Sequence, residues 1–167
     1  KRKISAILPV HVWGNAVDLK KITKICKEKN IKIIEDASES LGTFYNSSLK
    51  NKHTGTVGEI GCISFNGNKI ITTGGGGIIL TNKKSLYKQC QYLSNQAKND
   101  PIMFKHNEVG YNYRLNNIQA ALGLGQLKNL DTILKNKLFI YNFYKEEFKK
   151  IKNFEISIRP SFSQNNN

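Results

Sequence analysis

The sequence predicts an α/β protein with a mainly parallel sheet flanked by helices. Three observations carry that prediction. Residues 4–34 run strand, helix, strand; two more strand-like runs follow at 60–65 and 78–81; helical patterns occupy 83–96 and a long stretch beyond Asn116.

Residues 4–10 read as a short buried strand, mostly apolar and stopped by Pro9 and the turn at Gly14-Asn15. Asp18 can open a helix running through Leu19, Ile22, Ile25 and Cys26. Lys27 and Lys29 suit its negative C-terminal end, and Asn30 suits the exit. Ile31-Lys32-Ile33-Ile34 is then a second strand, and a strand–helix–strand unit of this length brings its strands parallel. Residues 37–58 are irregular, polar and glycine-rich. From Asn116 the apolar positions Ile118, Ala121, Leu122, Leu127, Leu130 and Leu134 predict a long helix that breaks or bends before Tyr144. Gly123 and Gly125 each cost about 1 kcal/mol against alanine there, which points to close backbone packing. The end, 161–167, is polar and reads as frayed. There is no internal repeat.

A chain of 167 residues, 39% hydrophobic and 10% aromatic, can bury one ordinary core. No apolar stretch approaches the roughly 20 residues of a membrane helix. The start, Lys1-Arg2-Lys3-Ile4-Ser5, is basic but runs at once into a strand, without the apolar region and cleavage site of a signal peptide. A chain that begins in a strand, without methionine, reads as a segment of something longer. Cys26, Cys62 and Cys90 are odd in number, scattered and without a C-x-x-C pair, so neither a disulfide framework nor a zinc site is signalled. Reduced thiols and a cytoplasmic location are the simplest expectation.

The net charge of +14 is nearly all lysine, with arginine only at Arg2, Arg114 and Arg159. A nucleic-acid binder usually clusters its cations on one stripe and interleaves aromatics. Here the lysines are dispersed among Asn and Ile, which is the pattern of a solvated surface. The net positive field would also help attract an anionic, doubly phosphorylated substrate. Neither a nucleic-acid nor a membrane partner is expected.

Three stretches could do chemistry. Ile33-Ile34-Glu35-Asp36 puts carboxylates where a parallel strand ends, and in open α/β sheets ligands bind outside the carboxyl ends of strands. An acid there is also a common turn former or helix cap, and position alone favours that reading. Ser64-Phe65-Asn66-Gly67-Asn68-Lys69 is a second strand exit, followed by Thr72-Thr73 and four glycines. One lysine among so many is a surface residue by default. The glycines, however, let backbone approach a ligand and their N–H groups can hold an anion. The order of residues is the reverse of a Walker phosphate loop, which disfavours a nucleotide triphosphatase. Gly110-Tyr111-Asn112-Tyr113-Arg114-Leu115 leads into the long helix.

Taken with Pro9-Val10-His11-Val12-Trp13-Gly14, Glu35 to Gly42, Thr72 to Gly77, Ala120-Ala121 and Gln126-Leu127, these stretches resemble the DegT/DnrJ/EryC1/StrS aminotransferase family in order and spacing over residues 4–130. The resemblance implies the central part of the large domain of a type I pyridoxal-phosphate transferase. The family's N-terminal part, with more of the phosphate site and a ring-stacking aromatic, falls outside the chain, as does the C-terminal small domain. Residues 1–130 would be a partial cofactor-binding domain, and 131–167 a connecting helix and the start of the C-terminal region. Alone, the segment is expected to bind cofactor weakly or not at all.

The resemblance also implies roles. Lys69 matches the lysine that joins the cofactor's aldehyde, Asp36 the partner of the pyridine nitrogen, and Ser64 a phosphate-binding serine. Asn112 matches an asparagine that reaches the phosphate held by the other subunit, which implies a homodimer with shared sites. Glu39 sits beside the ring, where the family commonly has Gln or His. A second anion near Asp36 there is costly unless Glu39 turns away or is protonated. His11 is expected to order the strand exit rather than to catalyse. Lysine at 69, where sugar-dehydrating relatives have histidine, implies transamination: from glutamate to a 4-keto-6-deoxy sugar on a nucleotide, closest in look to members acting on UDP-linked N-acetyl sugars for surface glycans. Two other classes stay open at this stage, an inactive scaffold of the same fold and a basic nucleic-acid-binding module.

Overall fold

Asp18 starts the first helix through its own carboxylate. In the computed structural model, which describes residues 3–46, 49, 51–100 and 102–164, its side chain accepts the Lys20 amide at 3.1 Å and α1 runs Leu19–Lys29. Asn30 ends α1 in the left-handed region at φ 52°, and the Ile31 amide bonds Cys26 O at 2.8 Å. The turn delivers the chain into β2, Lys32–Asp36, which lies parallel to β1, Ala6–Ile7, with Ile7 opposite Ile33. The expected strand–helix–strand unit is therefore present.

β1 is shorter and more exposed than the apolar run 4–10 predicts. Only Ala6–Ile7 are strand, Val10 adds an isolated parallel bridge to Asp36, and Ile4 and Leu8 are 63% and 61% exposed. The cause is its place at the sheet's edge, with β2 as its one neighbour. β4, Ile60–Ser64, is parallel to β2, and β5, Gly77–Leu80, is antiparallel to β4, so the sheet is mixed but mainly parallel.

Between β2 and β4 the chain is irregular, as expected, apart from the two-residue strand β3, Phe44–Tyr45. Tyr45 forms a core cluster with Ala16 and Leu19, packed by Val17, Ile22, Leu49, Val57 and Phe162. The loop 55–58 lies directly on β4. A Cβ at Gly61 would sit 1.9 Å from Gly55 O, so glycine is what lets the two backbones touch.

The helix at 83–96 is observed as α2, Lys84–Ser94. A small hairpin follows, β6 Lys98–Asp100 with β7 Lys105–His106. The long helical pattern divides earlier than its apolar spacing suggests. α3 is Asn117–Leu127 and α4 is Leu130–Phe148, so the break falls at Lys128-Asn129 and α4 runs through Tyr144. There the Asn129 amide takes Gln126 O at 2.9 Å and its side chain takes Gly125 O, a tightening of the last turn that ends α3. Of the two α3 glycines, Gly123 packs closely, its absent Cβ falling 2.9 Å from Thr73 Cγ2, while Gly125 faces open space. α4 docks through Leu134, 8% exposed, onto Gly42.

The chain's end is more ordered than its polarity suggests. Ser163–Gln164 form β8, antiparallel to β3, and the Asn46 amide bonds Phe162 O at 2.9 Å. Backbone pairing and the apolar Phe162 supply what the polar side chains do not. Residues 165–167, and Lys1 and Arg2 of the basic start, lie outside the described residues. Among the described residues no helix is long and apolar enough to cross a membrane, and no His, Cys, Asp and Glu cluster suits a metal ion. Cys26, Cys62 and Cys90 are free thiols.

Candidate active site

Alternation along two neighbouring parallel strands places the first site residues. In β2, Ile33 and Glu35 point into the protein and are buried, so Asp36 points to the other face; in β4, Gly61 and Ile63 are buried, leaving Cys62 and Ser64 on the face of Asp36. Asp36 pairs with Cys62 in register, and Ser64 lies two residues further along. Both strands thus release their last polar residue at one edge of the sheet. The Asp36 carboxylate accepts the Ser38 amide at 3.0 Å, and Ser64 Oγ accepts the Asn66 amide at 3.2 Å.

Lys69 closes the turn after β4, its amide on Asn66 O at 3.1 Å. Its side chain is 16% exposed and enters a cavity of about 350 Å³ lined by Trp13, Ser38, Glu39, Ser64, Asn68 and Lys137, among others. Glu39 is the polar partner there. One carboxylate oxygen lies 3.4 Å from Lys69 Nζ, and the other accepts the Trp13 amide at 2.8 Å. The Trp13 hydrogen bond leads the effects that hold the Glu39 carboxyl below its usual range; Lys69 adds to it, while partial burial and Asp36 oppose it. The cost of placing a second carboxylate near Asp36 is thus resolved by turning Glu39 toward a backbone donor and an ammonium, not by protonating it.

Behind the site, Glu35 organises the approach. Its carboxylate is fully buried and accepts the amides of Gly55, Val57 and Gly58 at 2.8, 2.7 and 2.6 Å, and one oxygen lies 3.0 Å from His11 Nε2. His11 Nδ1 accepts the Val17 amide at 3.1 Å, so its hydrogen is on Nε2 and is donated to Glu35. Burial would raise the Glu35 carboxyl, but the His11 ring and the three amides outweigh it and hold it low. His11 therefore has the ordering role expected of it. Glu35, by contrast, carries more structure than its position in the sequence signals.

Ser64, Lys69 and Glu39 line one cavity, and Asp36 ends the neighbouring strand close enough to act on Glu39. Asn112 does not join them in this chain: it is exposed, bridges to Asn95, and lines a separate cleft with Gly76, Gly77, Tyr113, Arg114, Leu115 and Gln119. Two contributors are not legible in the sequence. The Trp13 backbone amide binds Glu39, and Lys137 enters the cavity one turn beyond the anchoring Leu134. A positive φ of 51° at Trp13, beside Gly14 at 77°, shows that the 11–14 turn is specially shaped.

The profile of the DegT/DnrJ/EryC1/StrS aminotransferase family matches residues 1–166, and the chain belongs to that family. It is 40% identical over 149 residues to GDP-perosamine synthase of Escherichia coli O157:H7, which covers 89% of this chain and 40% of that one. It is likewise 40% identical over 140 residues to EpsN of Bacillus subtilis strain 168, provisionally named a pyridoxal phosphate-dependent aminotransferase, covering 84% of this chain and 35% of that one. Among solved structures it is similar to Helicobacter pylori PseC, an aminotransferase involved in the biosynthesis of pseudoaminic acid, at TM-score 0.80 and 31% identity over 89% of this chain and 39% of that one. The chain thus spans well under half the length of each of these relatives.

Proposed function

We propose that the protein carrying this chain is a pyridoxal-phosphate-dependent aminotransferase that moves an amino group from glutamate to a nucleotide-linked 4-keto-6-deoxy sugar, in the cytoplasm, for surface glycan synthesis. The observation that supports it best is the Lys69 amine, held by Glu39 in a cavity at the shared exit of two parallel strands, with Asp36 and Ser64 at that same exit. The names of the relatives, a GDP-perosamine synthase and a pseudoaminic-acid aminotransferase, support the sugar class.

The residues present fit the cofactor: an amine for its aldehyde, a carboxylate for its ring nitrogen, and hydroxyls for its phosphate. Bound there, pyridoxal phosphate supplies an electron sink for the pair left when a proton departs the amine-bearing carbon. Lys69 is assigned the covalent hold on the aldehyde and the movement of that proton. Asp36 is assigned to keep the ring nitrogen protonated through its negative charge. Ser64 Oγ accepts the Asn66 amide, which leaves its own hydrogen available to donate to phosphate. Glu39 is assigned to orient the Lys69 amine and the ring edge. Asn112 is assigned to the phosphate of a second subunit, consistent with its place outside its own chain's Lys69 cavity. That assignment makes the protein a homodimer with shared sites. In this reading residues 1–130 carry the cofactor site and 131–167 connect it onward.

Because the chain spans 35% to 40% of these curated relatives, the assay uses the gene's full product. With [15N]glutamate and UDP- and GDP-linked 4-keto-6-deoxy sugars offered separately, the expected result is 15N at the sugar's C4 with one nucleotide preferred. A folded, cofactor-loaded protein that transfers no 15N to either contradicts the reading. The inactive scaffold and the nucleic-acid module are not favoured: family membership and the formed Lys69 cavity speak against both.

A further inference from the structure

The segment that carries Lys69 is a closed loop. At its base the Thr73 amide and the Thr72 hydroxyl both bond Phe65 O, at 2.9 and 3.1 Å, and the Gly74 amide bonds Thr72 Oγ1 at 2.9 Å. Ile71, 2% exposed, anchors the loop from within. From outside, α3 grips the same base. Gln126 Oε1 accepts the Thr72 amide at 3.0 Å, and Gln126 Nε2 donates back to Thr72 O. A side-chain amide bonded both ways to one residue's backbone reproduces one rung of a β ladder. Gly123, one turn earlier on α3, has no Cβ to clash with Thr73 Cγ2, so the helix can come this close. α3 buries none of its residues in this chain; Gly123 and Gln126 are two of its three half-buried positions, with Gln119.

We propose that Gln126 is a positioning residue for Lys69: its two-way bond to Thr72 fixes the base of the 65–73 loop and so keeps the Lys69 amine in the cavity beside Glu39. Gln126 itself does not line that cavity. It acts through the backbone three residues beyond the lysine. The proposal rests on the aminotransferase reading only for the reaction that the positioned amine performs.

The test uses the gene's full product with Q126M, which keeps the length but removes both polar atoms, and Q126E, which keeps the acceptor alone. Two labels are read at Lys69 by peptide mass mapping. One is the rate of pyridoxyl attachment from pyridoxal phosphate with cyanoborohydride. The other is trace acetylation by acetic anhydride, taken as a ratio to Lys137, which lines the same cavity from α4. In Q126M the pyridoxyl rate falls about tenfold, the scale of one lost hydrogen bond, and the acetylation ratio rises as the lysine leaves its sheltered place. Q126E lies between Q126M and wild type on both readings, and KM for each co-substrate stays near wild type while kcat falls. Unchanged labelling in both variants overturns the proposal. If Q126M does not fold, Q126E decides by the same two readings. A wild-type protein that takes no pyridoxyl group strikes the aminotransferase reading instead, and the acetylation ratio still decides on Gln126.

Discussion

Replacing Lys69 with alanine is expected to lower amino transfer by about 10²- to 10⁴-fold, the range for losing a positioned acid–base group, and to abolish covalent attachment of the cofactor. Lys69→Arg gives nearly the same loss. Arginine can still pair with Glu39, but it stays protonated and does not serve as nucleophile or base. The fold is expected to survive both changes, because Lys69 contributes one ion pair to a partner that is itself partly in solvent. Steady-state turnover and the unfolding midpoint, measured side by side, separate a lost amine from a lost fold. Turnover within tenfold of wild type in a folded Lys69→Ala protein would remove Lys69 from the chemistry.

The largest expected effect on stability belongs to Glu35. Glu35→Ala leaves the buried Gly55 amide and His11 ring, and the half-buried amides of Val57 and Gly58, without their acceptor. A buried donor left without its acceptor costs about 1–3 kcal/mol, so several orphaned together take a large part of the roughly 5–15 kcal/mol a domain has. The pH dependence follows from the same contacts. The folded carboxyl is held below its ordinary value, so its contribution is complete above the unfolded carboxylate pKa and is lost as pH falls through the lower folded one. Glu35→Gln, which does not titrate, should therefore be less stable at neutral pH and lose less further stability on acidification than wild type. Denaturant titrations at neutral and acid pH measure both; a Glu35→Gln protein with an undiminished acid loss would contradict the role given to this carboxylate.

What was legible in the sequence is what side chains announce. Asp18 and Asn30 delimit α1 because capping needs those residue types; Asp36, Ser64 and Lys69 stand at or just after the exits of β2 and β4, but the resemblance to the family, not position, singled them out. What was hidden depends on backbone. Ser163–Gln164 pair through main-chain bonds that polar side chains do not signal. The division of α3 from α4 leaves the apolar spacing nearly undisturbed, since Leu127 and Leu130 continue it across the break. For Glu39 the sequence left open whether it turns away or is protonated, because its main partner is the Trp13 amide, and the grip of Gln126 on Thr72 escaped for the same reason. A side chain that bonds backbone leaves no complementary residue to find. The exposure of Ile4 and Leu8 belongs to an edge strand, and strand order is not written in a strand's own composition.

Lys69 is proposed to carry the cofactor. The most direct measurement is borohydride reduction of the gene's full product after loading with pyridoxal phosphate, followed by mass mapping of its peptides. Loss of the visible absorbance on reduction and one stoichiometric pyridoxyl group, on Lys69, are expected. A folded protein that shows no visible band and no label, or one labelled stoichiometrically at another lysine, would contradict that proposal.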